Sequence, residues 1–478
     1  MGLLTWIKGV ISRMFSEDAE KAFGIDVPDY TSMDTRIAEW SKIYRGYPEW
    51  VDAENGIKTI KMAKAVCTET ARLTTLALDI EFDGGARADY LKGITDKIIM
   101  PRLRSWVEYA CAVGTVILKP TASGVDMITP DKFRVIHTMN GQIDDIIFQD
   151  NYEEGKEGNK RYYTKLERHS FLRATVEGKD ITYYHVENKA FMSKSNGDIG
   201  REINLQDTRW NKLQPDVYIT KKNDGTLNNM LFGVLKMPCA NDVDWDSPLG
   251  MAIFADAIEE LKDLDIGYSR NAEEIDESRS IILADDRLVS MSGQKIGAKP
   301  SVKLPHYVYN VYGNDTKEFY QEIDRTLKTE QRIAGINNQL SFIGYKCGYS
   351  NGYFVFDQKT GMVTATQVEA DDRRTIQLIK DIRDCVQHAI EETLYALSVF
   401  ADLYKLAPVS EYEVNFNFGD IVYNFNDDKE KWYQYASKGQ VPFWRYLVKF
   451  EGMSEEDAKL ICDEAKKENQ KSGLFIEE

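Results

Sequence analysis

The spacing of hydrophobic residues predicts one long helix late in the chain. Between residues 366 and 404 no Gly or Pro occurs, and apolar residues recur at steps of three or four. This spacing puts them on one face of an α-helix, which would be roughly 58 Å long. Pro408 follows its end. The residues of this face are Ile379, Ile382, Val386, Ile390, Leu394, Leu397, Phe400 and Tyr404.

The first half of the chain has segments with the apolar spacing of helices and segments with the alternating pattern of strands. Helical patterns cover the region around Trp40, residues 58–78 and residues 90–112, the last with an internal Pro101. Strand patterns follow, and Asn140-Gly141 between two of them is a strong hairpin signal. Residues 1–241 are therefore predicted to be α+β, with helices first and a mainly antiparallel sheet after. The predicted strands are residues 115–119, 133–137, 143–148, 162–167, 181–186 and 217–220.

Two further helical patterns enclose a short β-rich stretch. Ser247 followed by Pro248 is typical of a helix start, and the apolar stripe then continues to residue 277. A second helix is predicted for residues 315–338. The sequence therefore predicts an antiparallel helix pair with a small module, residues 278–314, at its far end.

A glycine- and aromatic-rich stretch, residues 344–363, precedes the long helix. Residues 348–352 match G-x-S-x-G, which in hydrolases needs a strand before the serine and a helix directly after it. Residues 353–356 have a strand pattern instead, so a chance match is favoured over a catalytic one. An esterase-like hydrolase built on Ser350 stays as an alternative.

Composition and charge narrow the classes of function. The chain has 478 residues and a net charge of −17, which argues against a free-standing nucleic-acid binder but not against a wall along which nucleic acid slides. Six scattered cysteines favour a reducing compartment. No P-loop and no metal-ligand spacing occurs in the sequence. We therefore expect no catalytic residue, metal or cofactor.

Residues 1–15 form an amphipathic pattern that Lys8 and Arg13 interrupt, so it predicts neither a membrane span nor a signal peptide. Docking on the same protein or on a neighbouring subunit is favoured, and a peripheral membrane scaffold is the alternative. At the other end, residues 412–418 alternate as a strand, and three short helices follow at 427–436, 442–450 and 454–467. The last opens with a capping-box-like start at Ser454.

Several segments together resemble the portal proteins of tailed bacteriophages, most closely those of Gram-positive siphophages. These segments are residues 237–241, 246–250, 261–265 and 364–369, with residues 112–115, 131–133 and 140–141 in the same order upstream. The similarity extends over nearly the whole chain and is most specific in residues 238–406. Its motifs are structural, so it implies an architecture and not a reaction.

The resemblance implies a portal-protein fold: wing, two-helix stem, clip, tunnel loop, long kinkable helix and helical crown. It also implies a homododecameric ring at one capsid vertex of the virion, assembled in the cytoplasm of the bacterial host, through which double-stranded DNA enters and leaves. The implied divisions are 1–241 wing, 242–277 first stem helix, 278–314 clip, 315–343 second stem helix, 344–363 tunnel loop, 364–406 long helix and 407–478 crown.

The implied partners are other copies of the chain, the large terminase subunit, a tail adaptor, and the major capsid and scaffolding proteins. Candidate channel-lining residues of the stem are Asp256, Glu259, Glu260 and Asp263. Candidate DNA contacts of the loop are Lys346, Tyr349, Ser350, Asn351 and Lys359. For the aromatic residues of the loop, packing is favoured over DNA contact. Candidate partner contacts of the clip are Arg287, Lys295, Lys299 and Lys303.

Overall fold

The structure, a computed structural model, is a mixture of helices and mainly antiparallel strands, in agreement with the predicted α+β class. The chain divides into a first unit, Met1–Asn417, and a second unit, Phe418–Glu478. The structure describes residues 16–52, 54–156, 159–176, 179–220, 227, 229–277, 281–285, 308–311, 320–323, 329–355, 373–419, 425–438, 441–451, 453–454 and 457–464.

The first unit begins with helices. Helix α1 covers residues 16–23, and the next are α2 (Thr31–Arg45), α3 (Met62–Thr74), α4 (Ala86–Ile94) and α5 (Met100–Val113). Helix α3 is shorter than the predicted 58–78, because Lys61 before it and Ala77 after it adopt positive φ angles of 56° and 48°. Helical backbone cannot include such residues.

A π-helical turn, Thr95–Ile99, joins α4 to α5 directly before Pro101. Proline removes one backbone donor and crowds the preceding turn, and a wider turn accommodates both effects. The predicted helix with an internal proline is therefore present as two helices and a π turn.

Two sheets follow. The smaller has the order β10-β2-β3, and the larger the order β4-β5-β6-β7-β8, with β9 paired to β7. Asn140 and Gly141 have φ angles of 53° and 78° in the turn between β4 and β5, as a two-residue hairpin requires. The strands are β2 (Thr115–Thr121), β3 (Gly124–Ile128), β4 (Phe133–Met139), β5 (Gln142–Glu154), β6 (Arg161–Val176), β7 (Lys179–Ser193), β8 (Arg201–Ile203), β9 (Asp216–Ile219) and β10 (Gly233–Lys236).

Both faces of the larger sheet are buried. Ala19 of α1 packs with Ile147, Leu166 and other apolar side chains on one face. On the other face Phe148 meets Phe232, with ring centroids 5.6 Å apart. The same face holds a buried ionic cluster that sequence patterns did not reveal.

Glu167 is the centre of that cluster. Its carboxylate pairs with Lys119, with Lys165 at 2.6 Å and with Nε2 of His169 at 2.7 Å. Burial alone would raise the pKa of Glu167, but the two lysines and His169 outweigh it and hold the pKa well below its usual range. Burial lowers the pKa of His169 to about 4.

The predicted long helix is α8, Arg373–Leu403, which has 31 residues and is about 46 Å long. Its predicted start at residues 366–372 lies outside the described residues. It lies so close to β10 that a Cβ atom on Gly233 would stand 2.1 Å from the carbonyl oxygen of Ala389. Arg383 of α8 donates to the carbonyl oxygens of Leu73 and Thr74 and so caps the end of α3.

The chain after α8 returns to the N-terminal helices. Buried Arg87 of α4 pairs with Asp402 and donates to the carbonyl oxygens of Ala407 and Pro408. Strand β14 (Tyr412–Asn417) then pairs antiparallel with β1 (Asp79–Gly84). The predicted C-terminal part starting at 407 is therefore corrected: its first strand belongs to the first unit, which ends at Asn417.

In the second unit, helices α9 (Phe425–Ser437) and α10 (Phe443–Glu451) pack through Ala436, Tyr446 and Phe450. Helix α11 covers residues 457–464. The hydroxyl of Ser454 accepts a hydrogen bond from the amide of Asp457 at 3.1 Å, as predicted for a capped helix start.

Candidate functional site: the helix pair and the segment that follows it

Helices α6 (Ile258–Glu277) and α7 (Thr329–Lys346) form the predicted pair. Lys346 Nζ at the end of α7 lies 2.5 Å from Glu260 Oε1 at the start of α6. Arg332 at the start of α7 pairs with Glu274 near the end of α6. Because opposite ends meet, the helices are antiparallel. We call α6 and α7 together the helix pair.

Both helices begin later than the sequence predicts. Residues 247–254 are irregular, and a 3₁₀ turn, Ala255–Ala257, precedes α6. The reason is tertiary: a Cβ atom on Gly114 would stand 2.1 Å from the carbonyl oxygen of Gly250, and Thr115 Oγ1 accepts the Gly250 amide. The predicted start of the second helix at 315 is also wrong, since Tyr320–Ile323 is a strand.

The chain between the two helices forms a sheet of its own. Strand β11 (Ile281–Asp285) pairs in parallel with β12 (Val308–Val311) and antiparallel with β13 (Tyr320–Ile323). Two of the three strands lie within residues 278–314, where a small module was predicted, and the third lies in the stretch predicted as the second helix. The candidate partner contacts Arg287, Lys295, Lys299 and Lys303 lie outside the described residues.

One face of α6 is fastened to the N-terminal part of the first unit. The buried carboxylate of Asp265 accepts hydrogen bonds from Trp50 Nε1 at 2.9 Å and from the Ile60 amide at 3.0 Å. One turn later, Ser269 Oγ accepts the Lys58 amide at 2.9 Å. Sequence reasoning missed this anchor, although two polar residues four apart beside an apolar stripe are its signal.

The predicted acidic residues of the pair have two different environments. Glu259 and Asp263 are exposed, and their spacing of four residues puts them on one side of the α6 axis. Asp256 is also exposed and lies in the 3₁₀ turn before α6. Glu260 is partly buried and pairs with Lys346. Three of the four candidate channel residues are thus exposed carboxylates at the start of α6.

The far end of the helix pair leaves apolar side chains uncovered. Tyr268 and Ile275 of α6 and Ile333 of α7 are 43%, 51% and 39% exposed. Tyr268 and Ile275 lie on the same side of α6 as the buried Leu261 and Leu264, following the helical repeat. The apolar stripe of α6 is therefore buried at Leu261 and Leu264 and partly exposed at Tyr268 and Ile275.

The segment after α7 packs onto the body of the first unit. Tyr349 is completely buried, and its hydroxyl lies 2.6 Å from Thr70 Oγ1 of α3. Its ring centroid is 4.8 Å from that of Phe354, and the Tyr353 hydroxyl donates to Glu69 at 2.5 Å. Burial raises the pKa of Tyr349. The preference for aromatic packing agrees with these contacts, but residues 351–354 form a turn and not the predicted strand.

The candidate DNA contacts of this segment are not assembled on one surface. Tyr349 and Ser350 are buried, which contradicts the prediction that they face DNA. Lys346 is the last residue of α7 and pairs with Glu260, while Asn351 is exposed. Lys359 lies outside the described residues.

Hydrogen bonds between Ser350 and Thr375 connect the segment after α7 to the first turn of α8. The Ser350 amide donates to Thr375 Oγ1 at 2.9 Å, and the two hydroxyl oxygens are 3.0 Å apart. Residues 350 and 375 are therefore held side by side at the start of α8. Ser350 is the serine that would be the nucleophile in the G-x-S-x-G match, and its hydroxyl is hydrogen-bonded to Thr375. A helix ends before it and a turn follows it, so the strand and helix of a nucleophile elbow are missing.

Within the described ranges, no three His, Cys, Asp or Glu residues converge as a metal site. No helix in that part of the chain is long and apolar enough to cross a membrane. Residues 1–15 lie outside the described residues, so the membrane-scaffold alternative stays a prediction.

A solved structure described as the virion of a native gene transfer agent particle is similar to this chain. The similarity covers 89% of this chain and 93% of that chain, at 10% sequence identity and a TM-score of 0.36. A likeness of that degree carries no argument about fold or function. The sequence matches no protein-family model and none of the curated proteins.

Proposed function

We propose that this chain is the portal protein of a tailed bacteriophage, one subunit of a ring-shaped channel for DNA at a capsid vertex. The observation that carries the proposal is the helix pair with its own sheet between the two helices. This is the arrangement that the resemblance implies for stem and clip. The body of the first unit then corresponds to the wing.

The charge of the helix pair supports a channel. Glu259 and Asp263 of α6 are exposed on one side of the helix, Asp256 just before α6 is exposed too, and the chain as a whole carries −17. A conduit must hold its polymer weakly, because each tightly bound phosphate would oppose movement. An acidic wall repels the duplex and keeps it centred.

The uncovered apolar side chains support assembly with further copies. Tyr268, Ile275 and Ile333 extend the apolar stripe and are 43%, 51% and 39% exposed among the described residues. A neighbouring helix pair of the same kind would bury them. In this proposal the ring has about 12 subunits, as the resemblance implies.

The proposed protein is not an enzyme, and a separate packaging motor supplies the energy. The large terminase subunit and later the tail adaptor would bind at the sheet between the helices. Major capsid and scaffolding proteins would surround the wing. Lys359 as a DNA contact and the four basic residues of the clip stay predictions.

Native mass spectrometry of the purified chain, with negative-stain imaging, tests the proposal. We expect a ring of about 12 subunits with a central hole. A stable monomer that hydrolyses esters, with activity lost in Ser350→Ala, would overturn it in favour of the hydrolase. In the portal, Ser350→Ala only removes a hydrogen-bond partner of Thr375 and should cost about 1 kcal/mol of stability.

A further inference from the structure

Among the large apolar side chains that the structure describes, Trp245 is the most exposed. It is 89% exposed, in a loop that runs between β10 and α6. Tryptophan is mostly buried in folded proteins, and it is the residue type most enriched among the energetic centres of protein interfaces. On either side stand the exposed carboxylates Asp242 and Asp246, for which the described residues provide no ion pair.

The loop that presents Trp245 is held in one shape. Asn241 Oδ1 accepts the amides of Val243 and Asp244, both at 3.0 Å, and its Nδ2 donates to the Leu249 carbonyl. Asp244 Oδ1 accepts the Asp246 amide at 3.1 Å. A side chain on such a pre-organised loop loses little further freedom on binding. We call residues 242–246 the tryptophan loop.

A second surface of the same chain has the complementary chemistry. Phe342 and Tyr345 stand one turn apart on α7 and are 53% and 55% exposed. The guanidinium of Arg374 lies 3.9 Å from the centre of the Tyr345 ring, and Arg373 beside it is also exposed. Two aromatic rings and two guanidinium groups form what we call the arginine patch.

We propose that the tryptophan loop of one copy docks on the arginine patch of the next copy. Trp245 would pack on Phe342 and Tyr345, while Asp242 and Asp246 would meet Arg373 and Arg374. Since Trp245 is 89% exposed, it does not bind the patch of its own chain. In the proposed contact each copy gives its loop to one neighbour and its patch to another, so the contact is heterologous and repeats from copy to copy. Only its closure into a ring rests on the proposed function.

The test compares assembly of four purified chains by native mass spectrometry across a concentration series. These are the wild type, Trp245→Ala, the double variant Arg373→Glu/Arg374→Glu, and Tyr47→Ala as control. Tyr47 is 74% exposed and lies in another loop. We expect the first two variants to need at least ~10-fold higher concentration to assemble, and the control to match the wild type. Circular dichroism checks that all four are folded.

Mixing the two defective variants gives the decisive result. The Arg373→Glu/Arg374→Glu chain keeps its tryptophan loop, and the Trp245→Ala chain keeps its arginine patch. One intact contact remains possible between them, so the mixture should form heterodimers that do not grow. Normal assembly of Trp245→Ala, or no heterodimer on mixing, would overturn the proposal, as would a wild type that stays monomeric.

The outcomes separate this contact from the portal function. Wild-type rings that persist in both variants would refute the contact and leave the portal proposal standing. Open chains of wild-type copies that the variants abolish would support the contact and refute the ring.

Discussion

The larger sheet and the helix pair of the first unit differ in how many of their apolar and charged side chains are buried by the rest of the chain. The sheet is covered on both faces, and its ionic cluster around Glu167 is satisfied within the chain. The helix pair is fastened to the body on one side through Asp265, and two partly exposed ion pairs join its helices. Its Ile275 and Ile333 side chains are 51% and 39% exposed. Among the described residues, the helix pair therefore leaves more of its apolar side chains in contact with solvent than the centre of the sheet does.

We expect the largest loss of unfolding free energy when the carboxylate at the centre of the buried ionic cluster is removed. Glu167→Leu leaves Lys119 and Lys165 buried without their carboxylate, and we expect it to lower the free energy of unfolding by roughly 3–5 kcal/mol. Urea denaturation measures this. The control is Glu153→Gln, which removes an exposed pair with Lys160 and should cost less than ~1 kcal/mol. Similar losses in both variants would mean that burial adds nothing to the cluster.

The same cluster predicts a pH dependence. His169 has a pKa of about 4 in the folded chain against about 6.5 when unfolded, so the unfolded chain takes up the proton first. Its contribution to stability is complete above about pH 6.5 and is lost as the pH falls through about 4, with a total of roughly 3 kcal/mol.

Urea denaturation of wild type and His169→Gln at pH 7, 5.5 and 4.5 isolates this contribution from that of other titrating groups. The wild type should lose more stability than the variant over that range. Parallel curves would show that His169 does not titrate differently on folding.

For the helix pair the effect should fall on assembly and not on folding. Ile275→Ser with Ile333→Ser replaces side chains that are already 51% and 39% exposed, so the free energy of unfolding of the monomer should change by less than ~1 kcal/mol. The concentration needed for assembly should rise at least ~10-fold.

Leu213→Ser serves as the matched control, since Leu213 is 37% exposed but lies outside the helix pair. Analytical ultracentrifugation reports the assembly. Unchanged assembly in the double variant would mean that this end of the pair meets no other copy.

The smallest effect concerns the candidate DNA contact Lys346. Its partner Glu260 is partly exposed, so Lys346→Gln should cost less than ~1 kcal/mol of unfolding free energy in urea. Arg332→Gln, at the other end of the pair, should behave alike. A loss above about 2 kcal/mol would show that Lys346 holds the two helices together.

Local patterns predicted much of this fold. The alternation of residues 133–148 and the Asn140-Gly141 turn predicted β4 and β5, and the apolar repeat predicted α8. Ser247-Pro248 predicted a helix start that the structure does not have. The backbone at Gly250 packs tightly against Gly114 there, and the Gly250 amide donates to Thr115 Oγ1. Gly344 was assigned to a loop, yet it lies inside α7, facing the ring of Phe354. Contacts between distant residues decided these positions.

In the candidate site, too, the sequence predicted what depends on neighbouring residues and not what depends on distant ones. The shared face of Glu259 and Asp263 could be found from the sequence, because their spacing of four residues depends on one helix alone. Burial of Tyr349 depends on Thr70, and the position of Ser350 depends on Thr375. No local pattern contains those partners.

The pairing of β1 with β14 joins Asp79–Gly84 to Tyr412–Asn417. During synthesis the first of these strands leaves the ribosome long before the second exists, and at about 10 residues per second the interval is on the order of half a minute. Throughout that time the edge of β1 lacks its partner and is open to pairing with other chains. The last strand of the first unit therefore sets the moment at which the edge of β1 in the nascent protein is protected from pairing with other chains.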